Sequence, residues 1–251
     1  MVLRVARTVR IFRDLDAASA ALARRIAAAA GEAVRARGRF SLVMSGGRTP
    51  LGLFRRWGEA EGRRLPWAKT DVYFADERCV PPDHPDSNFG VAWTTFLSRV
   101  PIARRRIHRM RGELRPPSQA AARYAREIGP LPGSPRFDLV LLGIGPDGHT
   151  ASLFPGRRAV REMRRTVVAV PRAGQPPYVA RLTLTPPALS SARDVFFLVA
   201  GPDKAAPLSR IFRSGPRGDP RVPASRVLPA KPAEWFVDRA AAERLPSTSR
   251  G

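Results

Sequence analysis

The sequence predicts an α/β protein with a mostly parallel, helix-flanked sheet in a single domain, and three observations lead there. Short apolar runs at Phe40–Met44, Val72–Ala75, Phe137–Leu142, Arg181–Thr185 and Val195–Ala200 have the length and bounding turn residues of buried strands. These runs give way to polar loops, and helical stretches recur between them, the alternation of a parallel sheet covered by helices. At 251 residues the chain can bury a sizeable core, and no internal repeat or shift in composition divides it.

The elements follow in order. Asp14 to Arg37 is alanine-rich, sets Leu15, Leu22, Ile26 and Val34 at near-helical spacing and stops before Gly38, which predicts a long amphipathic helix. Phe40–Met44 runs into Ser45-Gly46-Gly47, with Pro50 placed to open the next helix. Val72–Ala75 precedes the charged segment ADERCVPPDHPDSNFG, and Phe137–Leu142 precedes a glycine-rich loop. Thr166–Val170 is a further strand candidate, and Pro202 to Phe212 is predicted as a helix after Val195–Ala200. Ser214 to Pro223, rich in Pro, Gly and Arg, is predicted to be a mobile connector. Glu234–Val237 is a closing strand, and a disordered tail from Pro246 to Gly251 is expected after a domain spanning residues 1–245.

The formal charge of +23 invites a nucleic-acid reading, with Arg104 to Arg111 and Arg157 to Arg165 as candidate phosphate-binding patches. However, only Lys69, Lys204 and Lys231 among the 44 basic side chains are lysine. A polyanion is attracted by either residue, whereas excess Arg, Ala, Pro and Gly together is what GC-rich coding produces. The expectation is a solvated basic surface with no nucleic-acid partner, whose field speeds capture of a small anionic substrate. No apolar run is long enough to span a membrane, and the N-terminus lacks an apolar leader, so the expectation is a cytoplasmic location with no membrane partner. The single cysteine, Cys79, cannot form an internal disulfide, which fits a reducing compartment. A monomer is expected.

The most informative stretch is GIGPDGHTASLFPG, residues 143–156, directly after Phe137–Leu142. In open parallel sheets ligands bind at the carboxyl ends of strands, so Asp147 and His149 sit where such a fold does its chemistry. Gly143, Gly145 and Gly148 also spell the dinucleotide fingerprint, but Pro155 and Gly156 end any following helix, and Thr166–Val170 is not followed by the acid that would hold a ribose. His84 and His108 lie in a proline-flanked loop and a basic run and are poorer candidates, and Cys79 has no evident base beside it except His84. No cluster of His, Cys and carboxylates has metal-ligand spacing, so no metal site is expected.

Other loops also carry polar groups. The glycines of Ser45-Gly46-Gly47-Arg48-Thr49-Pro50 let backbone N–H groups face an anion at a helix N-terminus. Asp76-Glu77-Arg78 puts three charges at a strand end, suited to sugar hydroxyls or a phosphate or else to surface ion pairing. Ser87-Asn88 has the character of a helix N-cap. Arg181 and Lys204 each place a cation at a strand end, Lys204 on the first turn of a helix where a phosphate can sit.

Taken together, SGGRTP at 45–50, FADERCVP at 74–81, DSN at 86–88, GIGPDGHTASLFPG at 143–156, RLTLT at 181–185, GPDK at 201–204 and PASRVL at 223–228 resemble the 6-phosphogluconolactonase family. That family falls within the wider group that includes the glucosamine-6-phosphate isomerases. The resemblance runs in family order across nearly the whole chain. It implies a modified Rossmann-like fold with helices on both faces, no cofactor, and hydrolysis of 6-phosphoglucono-δ-lactone in the oxidative pentose phosphate pathway.

It further implies a catalytic group of His149, Asp147 and Asp76, with His149 activating water. Asp147 either orients the ring or its loop, or caps a helix. The phosphate falls to Arg181 and Lys204 with the turn Ser45, Gly46 and Gly47, joined by Arg78, while Asp76 and Asn88 face the sugar hydroxyls. Loop amides near Gly145, or an arginine, are candidate donors to the developing oxyanion. The deaminating isomerases carry a glutamate five residues after the loop histidine, in a DGHIAFNE-like sequence, where this chain has Phe154. The absent carboxylate fits lactone hydrolysis and weighs against the alternative of a sugar-phosphate isomerase or deaminase. Asp76, which those isomerases use for proton transfer, is retained and does not discriminate.

Overall fold

A computed structural model describes residues 8–129 and 137–246 of the chain. Ten strands are present: β1 (Thr8–Phe12), β2 (Phe40–Met44), β3 (Thr70–Phe74), β4 (Asp76–Arg78), β5 (Ile107–His108), β6 (Leu139–Leu142), β7 (Val167–Val170), β8 (Arg181–Leu184), β9 (Asp194–Val199) and β10 (Glu234–Asp238). The α-helices are α1 (Leu15–Arg37), α2 (Leu51–Gly58), α3 (Asn88–Ala92), α4 (Pro117–Ile128), α5 (Pro186–Ser190), α6 (Ala205–Arg213) and α7 (Arg239–Ala242).

Seven strands form a wholly parallel sheet in the order β1-β10-β9-β6-β2-β3-β5. From β2 the chain runs outward through β3 and β5, then returns to the other side of β2 at β6 and proceeds through β9 to β10. The direction of winding therefore reverses between β2 and β6, the place where open α/β sheets leave a crevice at their carboxyl ends.

Helices cover both faces, as adjacent residues of β9 make plain. Phe196 and Phe197 point to opposite sides, as successive strand residues must. Phe197 stacks on Trp235, whose ring meets Phe212 of α6, while Phe196 lies under the Arg25 guanidinium of α1 at 4.9 Å. The helix α1 starts at Asp14, whose side chain accepts from Ala17 N–H, and stops at Gly38, in the left-handed conformation at φ 72°. One continuous core of buried apolar residues runs through the chain.

Four expectations are corrected. Arg181–Leu184 and Val167–Val170 are strands, but they belong to a separate three-stranded antiparallel sheet, β4-β8-β7, rather than to the parallel one. The two sheets join at Ala75, whose N–H donates to Met44 O at 2.7 Å and whose carbonyl accepts from Leu184 N–H at 2.8 Å. Asp76, Glu77 and Arg78 are therefore not a loop after a strand; they form β4. The segment from Ser214 to Pro223, expected as a connector, is exposed at residues 215–217 but anchored at its end: Val222 is buried, Ser225 Oγ accepts from Asp219 N–H, and just beyond it Ala224 N–H donates to Gly148 O at 3.0 Å. The predicted helix from Pro202 is a 3₁₀ turn, Pro202–Lys204, leading into α6. Of the expected disordered tail, residues 247–251 lie outside the described residues.

Candidate active site

The carboxyl ends of β2, β3, β6 and β9, with the small sheet beside them, enclose a cleft of about 770 Å³. From β2 come Ser45, Gly46 and Gly47; from β4, Asp76 and Arg78; and from the start of α3, Asn88. The loop after β6 contributes Gly145 and His149, β8 contributes Arg181 and the 3₁₀ turn after β9 contributes Lys204. The candidate residues thus converge on this one cleft, with Asp147 held against His149 at its edge.

The loop of residues 143–156 is folded back on itself. Gly145 N–H donates to His149 O at 2.8 Å, Thr150 Oγ1 donates to Gly143 O at 2.8 Å, and Gly148 adopts φ +84°. His149 Nδ1 lies 2.5 Å from Asp147 Oδ1, which leaves Nε2 as the ring nitrogen free to act in the cleft. Burial alone would raise the Asp147 carboxyl, but the hydrogen bond and charge of His149 outweigh it and hold it below its usual range. A β-carbon on Gly145 would stand 2.0 Å from His149 Nδ1, so only glycine lets the ring lie against the backbone there. The Gly145 amide itself is already bonded to His149 O, which leaves its neighbouring loop amides or an arginine as candidate oxyanion donors. Phe154 packs its ring against His149 with centroids 4.7 Å apart.

Across the cleft, Asp76 is buried and both of its oxygens are engaged. Ser152 Oγ donates to Oδ2 at 2.6 Å, and Asn88 Nδ2 lies 3.3 Å from Oδ1. Glu77 points the other way and serves structure. It accepts from the N–H groups of Arg78, Asn88 and Phe89 and from Ser87 Oγ, so it fixes the start of α3 and with it Asn88. Burial pushes the Glu77 carboxyl up to about 7 against the pull of those backbone donors.

Arg78 and Arg181 face each other across the β4–β8 pair. Arg78 donates to Asp86 O and Arg181 to Pro177 O, and the Nε of each is buried without a protein acceptor. Burial pulls the Arg181 guanidinium below its usual value, with the charge of Asp76 opposing. Lys204 pairs with Asp203 at 2.7 Å. Among the described residues, the amides of Gly46 and Gly47 donate to no protein acceptor, and Ser45 Oγ is likewise unpartnered. These groups lie in the turn that leads from β2 to α2, a suitable anion cradle. A β-carbon on Gly46 would fall 1.9 Å from Asn88 Oδ1, so a side chain there would force the Asn88 amide out of its place.

The remaining candidates stand apart. His108 pairs with Glu127 and stacks on Tyr73, and His84 leans on Asp86. Burial pushes the Cys79 thiol up to about 11, which removes it as a nucleophile at neutral pH. Two cleft residues were not anticipated: Ser152, and Gln175, whose Nε2 lies 3.5 Å from Asp147 Oδ2. No helix among the described residues is long and apolar enough to cross a membrane.

A family model described as glucosamine-6-phosphate isomerases/6-phosphogluconolactonase matches residues 13–236. The chain belongs to this family. A 6-phosphogluconolactonase of Mycobacterium tuberculosis is 37% identical over 249 residues, covering 96% of this chain and 99% of the relative. One from Homo sapiens is 37% identical over 244 residues, covering 94% and 93%. Among solved structures, the 6-phosphogluconolactonase of Thermotoga maritima superposes with a TM-score of 0.81 at 29% identity, covering 93% of this chain and all of that one. The parallel sheet with helices on both faces is a modified Rossmann-like arrangement that this chain shares with its solved neighbours.

Proposed function

We propose that this chain hydrolyses 6-phosphoglucono-δ-lactone to 6-phosphogluconate, the lactonase step of the oxidative pentose phosphate pathway. The observation that carries the reading is the His149–Asp147 pair, with Nε2 free, in a cleft that also holds the buried Arg181 and the half-buried Arg78. The relatives that match nearly the whole chain are named for the same activity.

His149 Nε2 takes a proton from water as the water oxygen adds to the lactone carbonyl carbon. The negative charge that develops on the carbonyl oxygen is met by donors in the cleft. The tetrahedral adduct collapses by breaking the bond from the carbonyl carbon to the ring oxygen, which takes the proton back from the imidazolium. The product is the open-chain acid. Asp147 steadies the transient imidazolium through Nδ1 and holds the ring orientation. Asp76 and Asn88 receive the sugar hydroxyls, and the phosphate is held by Arg181, Arg78, Lys204 and the Ser45–Gly47 turn as charge-assisted hydrogen bonds.

Freshly made 6-phosphogluconolactone, assayed against its spontaneous hydrolysis, tests the reading. Saturable acceleration proportional to enzyme is expected. No acceleration, or release of ammonia from glucosamine 6-phosphate instead, overturns it.

A further inference from the structure

Ser152 connects two parts of the cleft that are built on different sheets. Its hydroxyl donates to Asp76 Oδ2 at 2.6 Å, and its backbone N–H donates to Thr183 Oγ1 at 3.2 Å. Asp76 and Thr183 are directly opposed in the β4–β8 pair, so Ser152 grips both members of one rung of the small sheet. It does so from the loop that carries His149, with no exposed surface of its own. The preceding residue, Ala151, has φ +47°, a left-handed conformation that residues with a β-carbon adopt at some strain. The loop sustains that conformation where it passes from His149 to the rung. A hydroxyl bonded to a carboxylate at this separation belongs to the stronger, charge-assisted class.

We propose that Ser152 is a positioning residue that sets the Asp76 carboxylate relative to His149, so that the group facing the sugar and the group activating water are held in one geometry before substrate arrives. The proposal rests on the lactonase reading for the identity of the substrate, although the bonding of Ser152 does not depend on it.

A double-mutant cycle tests it. Ser152→Ala removes the hydroxyl and keeps the backbone bond to Thr183. We expect kcat/KM per folded molecule to fall about tenfold, while in an Asp76→Asn background the same change has less than about a twofold effect. A merely structural serine would lower Tm in both backgrounds and leave turnover per folded molecule unmoved. Equal losses in the two backgrounds, or parental kcat/KM for Ser152→Ala, overturn the proposal.

If the Asp76→Asn proteins turn over too slowly to rank, the cycle is read on the Kd of 6-phosphogluconate by calorimetry, with the same criterion. If Ser152→Ala does not fold, Ser152→Cys replaces it, keeping bulk while donating only weakly. Parent protein with no lactone turnover but non-additive Kd values would overturn the lactonase reading alone. An active parent with additive effects would overturn the coupling alone.

Discussion

Asp147 and His149 lie two residues apart on one glycine-rich loop, and their side chains close on each other at 2.5 Å, carboxylate to Nδ1. The pair is therefore assembled within a single turn rather than from distant elements, and its geometry depends on that turn. From this follows the sharpest expectation about the reaction. His149→Ala should lower kcat by about 10²- to 10⁴-fold while leaving the Kd of 6-phosphogluconate close to the parent value. A folded His149→Ala protein with near-parental kcat would shift the role of base to Asp76.

The same pair links acid stability to the site. Asp147 is held below its usual carboxyl range, so its ionised form contributes stability above the unfolded-chain value of 3.8, and that contribution is lost as pH falls through the lower folded value. Asp147→Asn should therefore melt at a lower temperature than the parent at pH 6, with the difference shrinking as the pH is taken below about 4. Thermal denaturation across that range checks it; a difference independent of pH would contradict it.

Arg181→Ala and Lys204→Ala should each reduce kcat/KM by about tenfold to a hundredfold, the scale of one charge-assisted bond to phosphate. Preference for the phosphorylated over the unphosphorylated lactone should shrink in parallel. Unchanged preference in both variants would move the phosphate elsewhere in the cleft.

Phe154→Glu should not yield a deaminase. The ring is buried against His149, and a carboxylate in its place finds no evident cationic partner, so the variant should lose stability and lactone hydrolysis together. Efficient ammonia release from glucosamine 6-phosphate by this single variant would contradict the expectation.

Gly46→Ala tests the opposite wall. The new methyl must displace the Asn88 amide, and with it the contact to Asp76. A loss of about tenfold or more in kcat/KM is expected, with a smaller effect from Gly47→Ala, whose β-carbon meets nothing within 4 Å although its φ of +98° makes the change strained. Equal activity in the two variants, measured per folded molecule, would show that Asn88 does not have to hold its place.

The elements that were legible announce themselves locally. β2, β6 and β9 are apolar runs buried on both faces, and α1 is bracketed by Asp14 and Gly38, whose capping chemistry is written in single residues. β1 was missed because it is an edge strand with little buried surface and Arg10 in its middle. α4 was also missed, although Pro117 at its start and Ala120, Ala121, Tyr124 and Ile128 on one face were available signals. The small sheet was misassigned because Arg181–Leu184 has the same apolar pattern whether its neighbours run parallel or antiparallel. In the site, glycine-rich loops and charged strand ends were readable from spacing alone. Ser152 and Gln175 were not, since Asp76 lies 76 residues from the former and Asp147 lies 28 from the latter, and nothing local marks either contact.

Ala75 belongs to both sheets at once, bonded to β2 through its N–H and to β8 through its carbonyl. Its position makes the cleft a caliper. One jaw is the main sheet, bearing His149 and the amides of Gly46 and Gly47; the other is the three-stranded sheet, bearing Asp76, Arg78 and Arg181. Under the proposed binding mode, the angle between the sheets at Ala75 governs how far Asp76, Arg78 and Arg181 stand from His149 and from the Gly46 and Gly47 amides. Changes of packing behind the small sheet, well outside the cleft, would alter that separation, so the fit to substrate is open to core residues that never touch it.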